Sequence, residues 1–252
     1  MANHQHVIEL RLDLALREVL RMMGGAHQEA VRPELLDVVN RLLEESIPYL
    51  KTRGVYGVWD VERLTDRELA LKGAGSFHGP IAGFLKPARR VAVFVVTIGS
   101  DLERIANQRR LDGKPLEGYI LQSIGSSAAD AASDAFVDYL WQHEAGPDEG
   151  VTPPFSPGYC GMSIEQQKTL FSIVDASPIG VRLLPSMMMS PVKSISGLAG
   201  IGAASEVIAR GLPCEYCELE RCQMRRTPAG GELRRWSQPR GRRDISDFRS
   251  PT

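Results

Sequence analysis

Apolar residues recur at helical spacing in three stretches of the chain. Residues 10–23 predict a first helix that should end at the glycine pair after it, and residues 33–50 predict a second, with a proline in its first turn. Residues 116–143 predict a long third helix, in which small side chains are frequent enough for another backbone to approach closely. The apolar stripes of the first two helices should face the core.

Short runs of β-branched and aromatic residues predict strands. The run at residues 91–98 is apolar at nearly every position, so it should lie centrally with both faces covered. Directly after it, Ser100 and Glu103 have the spacing of a capping box, which predicts a helix from Asp101 to about Arg109. The order of the elements, with helices first and strands scattered along the chain, favours an α+β fold. The other predicted strands are residues 55–59, 179–184 and 194–201.

Proline and glycine interrupt this pattern between residues 146 and 161, which hold four of each in sixteen residues. A loop of this length inside a compact domain is usually either functional or disordered. A tight turn with a core tyrosine is the simplest interpretation of the loop, and ligand binding is the alternative. After it, Ser163 and Gln166 predict a short helix through about Val174.

Composition indicates an ordinary globular protein. Of the 252 residues, 43% are hydrophobic and 24% are charged, and the apolar runs are far shorter than the ~20 residues that a membrane-spanning helix needs. The polar N-terminus offers no secretory core, so we expect a cytoplasmic protein without a membrane partner. The net charge of −1 conceals nine arginines against three acids from Arg221 onwards. We interpret residues 227–252 as a basic, flexible tail and do not expect nucleic acid as its partner.

Several segments in a fixed order carry a resemblance to a known family. The most specific is Ser156-Pro157-Gly158-Tyr159-Cys160-Gly161, which is followed by Glu165-Gln166-Gln167 and, at residues 186–197, by SMMMSPVKSISG. With residues 93–99, 124–126, 134–140, 170–171 and 179–181, they resemble the activation domain of cobalamin-dependent methionine synthase and its free-standing homologues. The resemblance covers roughly residues 5–200. It implies a curved antiparallel sheet flanked by helices, which we assign to residues 1–205.

The resemblance also implies a task. Cobalamin methyltransferases cycle through Co(I), which is occasionally oxidised to inert Co(II), and the family docks over the corrin and supplies S-adenosylmethionine. We therefore expect a reactivation factor for methionine synthase or a related corrinoid protein. The partner supplies the corrinoid, and a separate donor supplies an electron.

The family's ligand contacts can be placed on this sequence one residue at a time. Residues equivalent to Ser156, Gly158 and Tyr159 contact S-adenosylmethionine, and Asp134 stands where a family glutamate faces the ligand's amino group. Pro154 is a departure, because the family usually has an arginine there that pairs with the ligand carboxylate. An expected substitute is Arg182 on a neighbouring strand.

The corrinoid and its protein are expected to contact a cleft beside the loop. Met188, Lys193 and Ser194 should line this cleft. Residues 153–161 should form one of its walls and residues 194–201 the opposite wall.

All four cysteines fall in two places, Cys160 in the loop and Cys214, Cys217 and Cys222 near the end of the chain. Closely spaced cysteines in a cytoplasmic protein favour a metal over disulfides, and four thiolates suit zinc or an iron–sulfur cluster. The task implied by the resemblance needs an electron, which favours iron–sulfur. We therefore predict a metal-binding segment at residues 206–226. The fourth ligand is expected to be Cys160, and the alternatives on the sequence are Glu215, Glu218, Glu220 or water.

Two other functions stay open on the sequence. One keeps the fold without the methyl donor, as an iron–sulfur or other metal redox module, or as a corrinoid-binding module. The other is a zinc-stabilised protein whose arginine-rich tail binds nucleic acid. A steep salt dependence of nucleic-acid affinity would favour the second, and visible absorbance would count against it.

Overall fold

The computed structural model describes residues 5–24, 31–85, 87–159 and 161–208, which form antiparallel strands and helices. The strands are β1 (His6–Glu9), β2 (Arg53–Leu64), β3 (Glu68–Leu71), β4 (Gly75–His78), β5 (Ala88–Thr97), β6 (Glu149–Val151), β7 (Arg182–Leu183), β8 (Met189–Ser190) and β9 (Ser194–Ala203). The helices are α1 (Leu16–Met22), α2 (Pro33–Ser46), α3 (Ile81–Phe84), α4 (Asp101–Leu111), α5 (Pro115–His143), α6 (Gln167–Ile173) and α7 (Ala204–Ile208). Single turns of 3-10 helix lie at Ile47–Tyr49, Ile164–Gln166 and Ser177–Ile179.

Seven of the described strands form one sheet in the order β4-β3-β2-β5-β9-β6, and β1 pairs with β2 beside β3. Every pairing in this sheet is antiparallel. β7 and β8 form a separate two-stranded pair. The arrangement confirms the predicted α+β class, with an antiparallel sheet flanked by helices.

Strand β5 lies at the centre of the sheet, between β2 and β9, as its apolar sequence predicts. The side chains at residues 91–96 are all 0% exposed and alternate between two apolar clusters, one on each side of the sheet. The side that carries Phe94 is called the helical face below, because α5 packs on it. The side that carries Val93 is called the loop face.

Helix α5 occupies the middle of the helical face. The ring of Phe136 packs on the rings of Phe94 and Tyr56, with centroids 4.3 and 5.4 Å apart. Helices α1, α2 and α4 pack on the other sides of α5. Because these helices pack closely on α5, small side chains are needed where they touch it. At Gly118, for example, a Cβ would lie 2.8 Å from the backbone oxygen of Ala106 in α4.

The loop face is covered by shorter segments. Leu170 of α6, Phe155 and Met162 pack there against Leu69 and Phe77 of β3 and β4. These side chains are at most 2% exposed, so the loop that contains Phe155 is part of the core on this side.

Three predictions from the local sequence pattern are wrong, which concern the start of the first helix, the strand at residues 179–184 and the capping box of α4. The first helix begins at Leu16 and not near residue 10, because the backbone N–H of Leu10 bonds to Thr52 O and continues the pairing of β1. Residues 179–184 form no single strand, because Gly180 adopts a φ of +74° directly after a 3-10 turn. A strand of two residues, β7, forms after this glycine.

The predicted capping box at the start of α4 does not form. Ser100 has helical backbone angles and makes no side-chain capping bond. The Glu103 carboxylate accepts a hydrogen bond from the backbone N–H of Val192 instead, at 3.3 Å. A contact distant in sequence has replaced the local one.

At its C-terminal end the described fold continues through α7, where Val207 is fully buried. In the described ranges, no helix is both long enough and apolar enough to cross a membrane.

Candidate functional site

The proline-rich loop runs along the edge of β9. The backbone N–H of Thr152 donates to Gly200 O at 2.8 Å, and Phe155 and Leu198 exchange two backbone hydrogen bonds of 2.9 and 2.8 Å. The expectation that residues 153–161 and β9 form opposite walls of a cleft is therefore wrong. The loop extends the sheet at its edge, because its backbone groups bond directly to those of β9.

Pro153 and Pro154 form a bulge in this pairing. They stand together opposite the single residue Ala199, since the pairing resumes at Phe155. Proline has no backbone N–H to offer a ladder, and a bulge at a sheet edge requires none. The position at which the resemblance leads us to expect an arginine thus lies at this bulge.

Backbone hydrogen bonds then join Ser156, Gly158, Tyr159 and Met162 in a tight turn. The backbone N–H of Tyr159 bonds to Ser156 O, that of Gly158 to Met162 O, and that of Met162 to Tyr159 O, at 2.8–3.2 Å. Gly158 has a φ of +93°, and a Cβ there would lie 3.2 Å from the Ile164 side chain. Tyr159 is 68% exposed, whereas Met162 is 2% exposed. The turn therefore presents Gly158 and Tyr159 outward from a fixed base.

Glycine is required on β9 directly beside this loop. A Cβ on Gly197 would lie 2.8 Å from Phe155 O and 2.9 Å from Cζ of Phe94. On the far side of the turn, Gly161 has a φ of +73°, and a Cβ there would lie 3.1 Å from Pro80. The turn is thus held between the edge of β9 and the segment that follows β4.

Two consecutive glutamines tie the segment after the turn to the sheet. The Gln166 side-chain amide both donates to and accepts from the backbone of His78, so it pairs with the edge of β4 as another strand would. Gln167 is 4% exposed and accepts a hydrogen bond from Ser196 Oγ at 2.9 Å. Sequence reasoning missed these roles, although both residues belong to a segment that carries the resemblance.

The structure brings Ser156, Gly158 and Tyr159 together in one turn and places Asp134 on α5. Asp134 lies one helical turn after Asp130, whose carboxylate pairs with Arg21 of α1 at 3.2 Å. Phe136, which faces the sheet, is about 200° away around the helix. Asp134 is half-buried on the α1 side of α5.

Asp138 lies one helical turn beyond Asp134. Burial raises the pKa of the Asp138 carboxyl, and the charge of Asp134 raises it further. Asp134 and Asp138 are therefore close enough for the charge of one to disfavour ionisation of the other.

The three residues expected to face a partner differ in exposure. Met188 is 54% exposed next to Met187, a non-glycine residue with a φ of +64°. Ser194 is 8% exposed, and its hydroxyl bonds to Thr97 Oγ1 and Pro191 O at 2.9 and 2.8 Å. The Ser194 hydroxyl is thus used inside the fold.

Lys193 is half-buried. Its aliphatic stem lies over Gly125, where a Cβ would be 3.2 Å from Lys193 Cε, and its ammonium donates to Ser126 Oγ at 2.7 Å. Burial lowers the pKa of Lys193, and the charge of Glu103 partly offsets this effect.

The predicted metal ligands Cys160, Cys214, Cys217 and Cys222 lie outside the residues that the structure describes. Within those residues, no group of three or more His, Cys, Asp or Glu side chains is placed to hold a metal ion. The cysteine site remains a prediction from the sequence.

Comparison of the sequence with protein-family models and with curated proteins finds no match. Among solved structures, the chain is similar to one described as "Crystal Structure of the MetH Reactivation Domain bound to AdoHcy". The two chains are 16% identical, the TM-score is 0.53, and the match covers 79% of this chain and 78% of the other. The protein thus has the fold of a MetH reactivation domain.

Proposed function

We propose that this protein reactivates a corrinoid-dependent methyltransferase, either methionine synthase or a related corrinoid protein. One electron reduces the inactive Co(II) corrinoid of the partner to Co(I), which takes the methyl group of S-adenosylmethionine and leaves S-adenosylhomocysteine. The observation that carries this proposal is the likeness in fold to a reactivation domain that binds AdoHcy, over 79% of the chain.

The turn at the edge of β9 is the proposed S-adenosylmethionine site. Gly158 has no Cβ, so its backbone groups can lie directly against an amino-acid moiety, and the exposed ring of Tyr159 offers a flat face to a cation. Ser156 belongs to the same turn, and Asp134 would attract the ligand's ammonium group. Arg182, exposed on β7, is the proposed partner of the ligand carboxylate.

Met188 and Lys193 are proposed to contact the corrinoid protein. Met188 offers an adaptable apolar side chain, and Lys193 offers donors that a charged or polar group can use. Ser194 supports this surface from within through its bonds to Thr97 and Pro191.

Cys160, Cys214, Cys217 and Cys222 are proposed to bind one iron–sulfur cluster or zinc ion. An iron–sulfur cluster next to Tyr159 would give the electron a short path to the cobalt. Residues 206–226 would then be the metal-binding segment.

The decisive experiment is an anaerobic reactivation assay with a purified corrinoid protein in its Co(II) state, a chemical reductant and S-adenosylmethionine. The visible spectrum should change to that of methylcobalamin only when all components are present. Tyr159→Ala should abolish the effect, whereas the surface control Tyr119→Ala, which is 49% exposed in wild type, should not. Reduction of Co(II) to Co(I) that requires this protein but leaves the methyl group of S-adenosylmethionine untransferred would favour the redox module. No change of the cobalt spectrum on adding the protein would refute the proposal.

The cysteine site needs its own measurement, which is an anaerobic absorption spectrum with metal analysis. Cys214→Ser and Cys160→Ser should both lower metal occupancy. Full occupancy in Cys160→Ser would remove that residue from the site. A colourless protein with stoichiometric zinc would exclude electron transfer through this site.

A further inference from the structure

A separate cavity lies on the helical side of the molecule, where the end of α2 and the following 3-10 turn meet α4 and α5. Its volume is about 290 Å³, which is near the lower end for small-molecule pockets. Leu102, Ile105 and Leu121 give it an apolar floor, and Leu102 and Leu121 are at most 3% exposed. Tyr49, which is 39% exposed, also lines the cavity.

Four charged side chains form a closed ring, and two of them line this cavity. Arg41 contacts Glu45 at 2.9 Å and Glu117 at 3.4 Å, and Arg109 contacts Glu117 at 2.9 Å. The ring closes between Arg109 and Glu45, where the distance is 3.6 Å and the side chains are 30% and 43% exposed. This longest contact of the ring is made by the two charged residues that line the cavity.

We propose that this cavity binds a free α-amino acid with an apolar side chain. The ligand's carboxylate would pair with Arg109 and its ammonium with Glu45, so the ligand would replace their long mutual contact without leaving either charge unpaired. The ligand's side chain would lie on Leu102 and Leu121. A ligand with one charge would break the contact between Arg109 and Glu45 and replace it at one residue only, so the other would keep just its remaining contact in the ring, with Glu117 or Arg41.

This inference does not rest on the proposed function. The cavity lies among α2, α4 and α5 on the helical face, whereas the candidate S-adenosylmethionine turn is held by the edge of β9 and the loop face. Binding at the two places can therefore be tested separately.

Matched ligands test the charge requirement. L-Norleucine carries both charges and an unbranched apolar side chain, pentylamine lacks the carboxylate, and hexanoate lacks the ammonium. Calorimetric titration should show saturable binding of norleucine at millimolar concentration and at least about tenfold weaker binding of the other two. Methyl NMR signals of Ile105 and Leu121 should shift with norleucine. Hexanoate binding as tightly as norleucine, or no saturation by norleucine, would refute the proposal.

Matched variants test the residues. Glu45→Gln and Arg109→Gln should each weaken norleucine binding about tenfold, whereas their exposed neighbours Glu44→Gln and Arg110→Gln should leave it unchanged. Ile105→Phe should block binding by filling the cavity. Circular dichroism and the thermal midpoint identify any variant that has lost its fold. Ile105→Phe leaves the charges of Glu45 and Arg109 in place, so it tests the cavity separately from the ion pair.

A last comparison separates this cavity from the turn. Tyr159→Ala should leave norleucine binding intact while it removes S-adenosylmethionine binding. Norleucine binding that is lost in Tyr159→Ala and kept in Glu45→Gln would place the amino acid at the turn and overturn the inference.

Discussion

The two faces of the sheet are covered in different ways. On the helical face, α5 is buried on most of its sides by apolar side chains that recur along regular helices. On the loop face the covering segments are short, and polar contacts made by single residues help to hold them, as Gln166 does with His78 and Gln167 with Ser196. Both faces bury apolar side chains, but on the loop face individual polar contacts add to this burial and fix the positions of the short segments. Because such polar contacts help to hold the segments around the turn, Tyr159 can be exposed there without weakening the core.

The largest expected effect is on the helical face. Phe136→Ala should lower the free energy of unfolding by about 3–5 kcal/mol, because it removes a fully buried ring packed on Phe94 and Tyr56. Urea unfolding measures the loss. Leu116→Ala, on the same helix at 53% exposure, is the control and should cost less than about 0.5 kcal/mol. Equal losses in the two variants would contradict the idea that buried area stabilises this face.

The next effect is on ligand affinity at the edge of the loop face. Pro154→Arg should tighten S-adenosylmethionine binding about ten- to hundredfold, because a hydrogen bond to a charged group is worth about 1.5–3 kcal/mol. Calorimetry on both proteins measures the gain. Pro154→Gln makes the same backbone change without the charge and should show little gain.

Decarboxylated S-adenosylmethionine sharpens this test, since the arginine should not improve its binding. Equal affinity of S-adenosylmethionine for wild type and Pro154→Arg would show that another group, such as Arg182, already pairs with the carboxylate.

A smaller loss of stability is expected at Gly197, where β9 contacts the loop. Gly197→Ala should cost about 1–3 kcal/mol, because its Cβ would lie 2.8 Å from Phe155 O and 2.9 Å from the Phe94 ring. Hydrogen exchange should show lost protection at the amides of Phe155 and Leu198 before it does in α5. Gly83→Ala, whose Cβ would have an ordinary 3.6 Å contact, is the control. Uniform loss of protection across the molecule would mean that the loop is not an independent unit.

The same difference between the faces explains what the sequence could predict. α5 was predicted at residues 116–143 and spans Pro115–His143, because its contacts repeat along its own length. The central strand was predicted because it is apolar at nearly every position, as a strand covered on both faces must be. The first helix was predicted too long, because Leu10 pairs with Thr52, and no local pattern reports such a partner.

The candidate site likewise contains some positions that a sequence motif could predict and others that depend on contacts distant in sequence. Ser156, Gly158 and Tyr159 lie together because they are neighbours in sequence, so a motif was enough to group them. The burial of Ser194 and the α1-facing position of Asp134 depend on elements far away in sequence. Gln167, which bonds to Ser196 beneath the turn, had no signal other than its membership of a resembling segment.

The smallest predicted effect concerns Lys193, a charged group at the start of β9 that packs on α5. Its pKa is held below the ordinary value of 10.5 by burial, and the nearby Glu103 only partly compensates. Between the lowered pKa and 10.5, the unfolded chain therefore binds more protons at this position than the folded chain, so the free energy of unfolding should rise with pH. Lys193→Met should remove this rise and add stability at neutral pH, whereas the exposed control Lys72→Met should leave the rise in place. Urea unfolding at a series of pH values up to 10.5 measures it. An unchanged pH dependence in Lys193→Met would mean that solvent reaches this ammonium freely, and Lys193 would then resemble the surface lysines and not a group seated on the helix.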